Sequence, residues 1–205
     1  GSIDFYVPAA EKGAFGPGAG CIIEKKWHQK LIKPFLWDCD IWHAPFQSGR
    51  IVPAANKKIK ILLTIHDLNC LHEGKSVKEQ MQSLQKTQQL IDHSHALVCI
   101  SNHCKKDVLE NMDLKDKPVY VIHNGTHHVN IPPARPTGYF PARPFLFTMG
   151  YVNQKKNFHT LISLLKDEGL ELIVAGKLDD ADYVQKMKLM AAKEGAADRL
   201  HILGP

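Results

Sequence analysis

The chain has 205 residues, 44% of them hydrophobic and 23% charged, with 26 Lys and Arg against 21 Asp and Glu and a net charge of +5. This is the profile of a globular protein with a real core, not of a disordered segment, and no apolar run approaches the ~18 residues of a membrane-spanning helix. The basic excess is mild and scattered, which suits an anionic small ligand or an anionic membrane surface and argues against a nucleic-acid partner.

In chain order, Gly1-Ser2 reads as a cloning remnant, so the natural chain is expected to begin upstream, and no signal-peptide layout follows. Lys12–Gly20 (KGAFGPGAG) is too rich in glycine and proline for a regular element and reads as a loop. Lys25–Trp37 (KKWHQKLIKPFLW) interleaves basic and aromatic residues. Pro34 breaks a helix there, so an ordinary surface helix before a strand at Asp40–His43 is the plainer reading, with peripheral contact to an anionic membrane the alternative.

Continuous apolar runs at Ile59–Ile65, Ala96–Ile100, Val119–Ile122, Phe145–Met149 and Leu170–Ala175 predict buried strands, with a last strand at His201–Leu203. Between them, helical spacing of Val77, Met81, Leu84 and Ile91 predicts an amphipathic helix over Ser76–Asp92. Ser101 or Asn102 caps a second helix with Val108, Leu109 and Met112 inward. A third opens near Asn157 with Phe158, Leu161, Ile162 and Leu165 inward, and a fourth, Ala181–Ala192, turns Val184, Met187 and Ala191 to one side. Strand and helix in alternation predict an α/β fold of parallel sheets flanked by helices. Ile131–Pro144 carries five prolines and reads as a linker, dividing residues 1–137 from residues 138–205. Only about 60 residues follow it, too few to cover a second sheet, so the chain is expected to be truncated at Pro205.

Five cysteines with no CxxC pair argue against a disulfide framework or a structural zinc site, and place the protein in a reducing cytoplasm. The Asn124-Gly125-Thr126 sequon would count only in a secreted protein. His123, His127 and His128 lack a convergent carboxylate, and no metal is expected of them.

Three segments remain that can carry chemistry. In Phe145–Asn157 a strand ends at Gly150 and Lys155, Lys156 and Asn157 stand at the predicted start of a helix. Cations are ill-placed at a helix N-terminus unless an anion such as phosphate is bound; the plainer alternative is that both lysines point into water. His66 and Asp67 lie at the C-terminal end of a strand, the edge where parallel sheets bind ligands. There a histidine serves a phosphate or sugar oxygen, or merely satisfies a backbone carbonyl. Gly74, Lys75 and Ser76 have the setting of a P-loop, but Asn69 stands where its first glycine belongs and Glu73 would repel phosphate, so a nucleotide triphosphatase is the weakest reading.

FLFTMG, then KKN with an apolar helix, then LELIVAG resembles the start of the donor-binding domain of the glycosyltransferase group 1 family (family 4), which has the GT-B fold. LLTIHDL, CISNHCKKDVLE and VYVIHNGTH are similar to the family's N-terminal domain, so the resemblance covers roughly Asp40–Pro205. It implies two Rossmann-like domains, with Gly150, Lys155, Lys156 and Asn157 binding the diphosphate of a nucleotide-diphosphate sugar, UDP or GDP type unresolved. It implies His66 as the catalytic residue on the opposite wall, no cofactor or metal, and retention of configuration at the transferred sugar. The acceptor would be a hydroxyl of a glycan or glycolipid in polysaccharide or glycoconjugate synthesis, and resemblance to the branch with an Arg-Lys-Asn form, where this chain has Lys155-Lys156-Asn157, leans towards mannose-like donors. The family's arginine after the glycine is replaced by Tyr151, and its Glu-x7-Glu motif would fall beyond Pro205, so the 205-residue chain is expected to transfer no sugar. A non-catalytic binding or regulatory module with a GT-B-like shell is the rival reading.

Overall fold

The computed structural model describes residues 1–24, 39–47, 52–54, 56–126, 132 and 139–204. The chain divides into two compact units, residues 1–127 and 128–205. The sequence division at 137/138 falls among residues that are mostly not described, as do Lys25–Trp37 and most of the proline-rich stretch.

The first unit opens with a parallel pair of short strands, β1 (Asp4–Val7) and β2 (Gly20–Ile23). The Gly/Pro loop between them closes over Phe5, whose ring stacks on Phe15 with centroids 3.9 Å apart. A four-stranded sheet follows, built from β3 (Ile41–Ala44), β4 (Lys60–Ile65), β5 (Ala96–Cys99) and β6 (Val119–Val121) in the order β3-β4-β5-β6, every pair parallel. The connections are α1 (Val77–His93) between β4 and β5 and α2 (Asn102–Asn111) between β5 and β6, because parallel neighbours need a crossover. Leu63, Ile65, Leu97 and Cys99 on the central strands meet Ile91 of α1 and Cys104 and Val108 of α2 in one fully enclosed cluster. Burial of each large side chain contributes roughly 1.5–3 kcal/mol. All five cysteines are free thiols.

Helical spacing names the right elements but not every inward residue. In α1, Val77 and Met81 are 71% and 65% exposed, and it is Leu84, Thr87, Leu90 and Ile91 that reach the core. In α2, Val108 and Met112 are buried but Leu109 is exposed. Ser76, which follows Gly74-Lys75 in the P-loop-like setting, caps α1. Its hydroxyl accepts the Glu79 N–H at 3.4 Å and the Glu79 carboxylate accepts the Ser76 N–H at 3.0 Å, while Lys75 pairs with Glu73 at 3.2 Å. Ser76→Ala is expected to cost about 1 kcal/mol of stability, read from denaturant unfolding.

The second unit is a three-stranded parallel sheet of β7 (Phe145–Met149), β8 (Glu171–Ala175) and β9 (Leu200–Leu203), ordered β7-β8-β9. A helical segment, Phe158–Lys166, joins β7 to β8, and α3 (Ala181–Lys193) joins β8 to β9. Phe158, Ile162 and Leu165 from the first, and Tyr183, Met187 and Ala191 from α3, pack on Leu172 and Val174. On β7 the alternate residues Phe145, Phe147 and Met149 are exposed.

The helix expected to open near Asn157 is present as the 3-10 segment Phe158–Lys166, with Phe158, Ile162 and Leu165 buried and Asn157 ahead of it in the left-handed conformation (φ 57°) without a side-chain cap. One expectation for this unit needs correction. Tyr139, assigned to the linker stretch, is docked: its hydroxyl donates to the buried Glu171 carboxylate at 2.7 Å and lies 2.7 Å from His201 Nε2. Desolvation and that carboxylate push the phenol up to about 12. Among the described residues no helix is long and apolar enough to cross a membrane.

Candidate functional site

In each unit the candidate residues gather at the C-terminal ends of parallel strands, where the chain leaves a strand for a loop and backbone groups become available to a ligand. In the second unit β7 ends at Gly150 and β8 at Gly176, and both take positive φ, 149° and 138°. The two glycines lie against each other. A Cβ on Gly176 would stand 2.1 Å from the Gly150 carbonyl oxygen, so only glycine fits.

Hydrogen bonds from Gly150 N–H to Ala175 O (2.9 Å) and from Val152 N–H to Lys177 O (2.8 Å) carry the pairing past the strand ends. The Asn153 side-chain amide adds a bond to the Asp179 carboxylate at 3.1 Å, and its own Oδ1 is buried without a partner among the described residues.

Lys156 lies against Gly150. Its Cε lies 3.8 Å from where a Cβ on Gly150 would be, so the stem packs where other residues would carry a side chain. Lys155 and Lys156 close a one-turn 3-10 helix, Gln154–Lys156, and do not begin a longer one. A three-residue turn carries no appreciable dipole, and the two lysines stand directly ahead of Asn157 and the helical segment Phe158–Lys166. The first N–H groups of Phe158–Lys166 are also partly engaged: His159 N–H donates to the Tyr183 hydroxyl at 3.0 Å and Thr160 N–H to Asn157 O at 3.2 Å. What the site offers an anion is lysine charge at a cleared glycine edge.

Sequence reasoning stopped at Gly176 and missed the next residue. Lys177 leaves β8 as Tyr151 leaves β7, and its ammonium sits 5.7 Å from the centroid of the Tyr151 ring. A cation over an aromatic face is held by the ring quadrupole. The signal was present in the sequence, since Met149-Gly150-Tyr151 and Ala175-Gly176-Lys177 are both a strand, a glycine and a long side chain.

In the first unit His66 follows the last residue of β4. Its ring Nε2 is 2.9 Å from the Pro45 carbonyl, which can only accept, so Nε2 carries a proton and Nδ1 is the acceptor of the neutral ring. Gln47 fixes the backbone around it, accepting the His66 N–H at 3.0 Å and donating to Asp67 O at 2.9 Å. Phe46 packs against the imidazole at 5.0 Å. Asp67 closes a turn by accepting the Asn69 N–H at 3.1 Å. These are the bonds of the plainer reading of His66 and Asp67, and they also aim the ring. His123 bonds through Nδ1 to the Ile100 carbonyl at 2.9 Å, while His127 and His128 lie outside the described residues.

Residues 19–129, more than half of the chain, match the family described as Glycosyltransferase Family 4. None of the curated proteins matches the sequence. Among solved structures, Anabaena HepE in complex with UDP-glucose is similar at a TM-score of 0.60 and 17% identity, over 80% of this chain and 48% of HepE. The same protein with UDP and glucose gives 0.61 and 17%, over 80% and 47%. TarM gives 0.56 and 14%, over 80% and 32%. At such identities the likeness shows the fold, which is of the GT-B type. The chain spans about half the length of HepE and about a third of TarM.

Proposed function

Since the chain belongs to glycosyltransferase family 4, we propose that the whole protein transfers a sugar from a nucleotide-diphosphate donor to an acceptor hydroxyl. The observation that carries this reading is the edge of the second sheet, where Gly150 and Gly176 remove side-chain bulk and Lys156 and Lys177 flank the clearing. A diphosphate fits such an edge: it needs close backbone approach and cations for the charge that grows as the glycosidic bond to the leaving group breaks. Lys155 and Asn157 belong to the same turn and complete the donor side. HepE, bound to UDP-glucose in one structure and to UDP and glucose in another, supports a donor of this class.

His66 is the catalytic residue of this proposal, its Nδ1 the hydrogen-bond acceptor left for a sugar or acceptor hydroxyl once Nε2 is held by the Pro45 carbonyl. No resident metal or cofactor has a step in it. Retention of configuration, a mannose-like donor, a glycan or glycolipid acceptor and a cytoplasmic, peripheral location belong to the same proposal and rest on the family resemblance.

Titration of the whole protein with UDP, GDP and ADP, followed by thermal unfolding, tests the donor class: one of the three is expected to raise the midpoint, and protection by none would sink the reading. His66→Ala is expected to lower turnover at least tenfold while leaving the melting of the first unit in place. A collapsed melt with proportionate loss of activity would make His66 only a clamp on Pro45.

A further inference from the structure

Beside the strand ends of the first unit, and apart from His66, three side chains of metal-ligating type converge. His103 and Asp107 lie one turn apart on α2, and His72 is brought to them by the short 3-10 turn Asn69–Leu71 between β4 and α1. His72 Nε2 is 2.8 Å and His103 Nε2 3.6 Å from the same oxygen, Asp107 Oδ2, and the three atoms all lie within 4.8 Å of one another. The geometry points to a binding site for a borderline divalent transition ion such as zinc, held by His72, His103 and Asp107.

The distances fit such an ion. With metal–ligand bonds of about 2.0–2.1 Å, the ligand atoms of a tetrahedral site stand roughly 3.3 Å apart. The two His–Asp separations straddle that value, and exposed imidazoles can close the difference by small rotations. An ordinary ion pair explains only half of the arrangement. One histidine satisfies the buried Asp107 carboxylate, while a second, with its ring centroid 5.4 Å from the first, would bring like charges together if both were protonated. A metal ion removes that conflict, because it takes both rings neutral and the carboxylate ionised.

Two imidazole nitrogens with one carboxylate oxygen select zinc-like ions over magnesium or calcium, which prefer oxygen ligands. Side-chain exposure of 48% for His72 and 72% for His103 leaves room for water at the remaining position. The ion would fasten the segment that follows His66 to α2, joining residues 35 apart in sequence.

The test is titration of chelator-treated protein with Zn2+ alone, by calorimetry and by thermal unfolding. The expected result is one saturable site per chain, a rise in the unfolding midpoint, and at least a tenfold loss of affinity in His103→Ala and in His72→Ala. His103 is exposed, so its variant keeps the fold and decides the matter if His72→Ala proves unstable. Absence of a saturable site, or zinc affinity unchanged in His103→Ala, would overturn the proposal, since the chain has 12 histidines and chance binding would survive that change. Equal stabilisation by Mg2+ would overturn the assigned class of ion.

Discussion

Gly176→Ala is expected to lower the stability of the second unit by about 3 kcal/mol or more. Two costs add at this position. The backbone holds φ at 138°, a conformation that costs a residue with a side chain about 1–3 kcal/mol. The new methyl would also meet the Gly150 backbone, whose carbonyl carbon and nitrogen lie 2.9 and 3.2 Å away, and backbone cannot step aside as a flexible side chain can. The ends of β7 and β8 must then part, breaking the bonds that run on to Lys177 and Asp180. The effect can be assigned to one unit, because Trp27, Trp37 and Trp42 all lie in the first. Circular dichroism should show early loss of structure while tryptophan fluorescence keeps its wild-type midpoint, and coincident, unshifted transitions would refute the steric argument.

The second large effect concerns charge. Lys156→Ala combined with Lys177→Ala in the whole protein is expected to reduce kcat/KM at least a hundredfold, about 2.7 kcal/mol of transition-state stabilisation. Lys156→Ala alone should give about a tenfold loss. Lys177→Ala shows whether the cation over Tyr151 takes the place of the arginine that the family resemblance puts at 151. Two lysines facing one diphosphate share its charge, so the double loss is not expected to be the simple sum of the single ones. Steady-state kinetics with the donor varied is the measurement, and a double variant with wild-type kcat/KM removes both lysines from the site.

The sheet of each unit is legible in the sequence because strands buried in parallel sheets are unbroken apolar runs, and β4, β5, β7 and β8 fall within about one residue of their expected ends. β1 and β2 are not, since four-residue strands around a Gly/Pro loop carry too little pattern. Nor is the 3-10 character of Phe158–Lys166, because its buried residues, Phe158, Ile162 and Leu165, keep the i, i+4, i+7 spacing of any amphipathic helix. Val77 and Met81 mark the apolar stripe of α1 correctly, but periodicity says nothing of whether a given turn is covered. Of the candidate site, Gly150 and His66 could be placed by their positions after strands. The Gly150–Gly176 contact and Lys177 needed β7 and β8 to be paired, and the grouping of His72 with His103 and Asp107 needed a loop and a helix to meet.

Every strand pair described is parallel. Among the described residues no hairpin is therefore available to start folding, and each of these pairings waits for a crossover to close a long loop of chain first. Folding on these terms is slow, and it leaves Phe145–Met149, five uncharged residues of high strand propensity, exposed to other chains in the meantime. Pro144, immediately before that strand, lacks the N–H with which a neighbouring chain would extend the ladder and serves as its gatekeeper during synthesis.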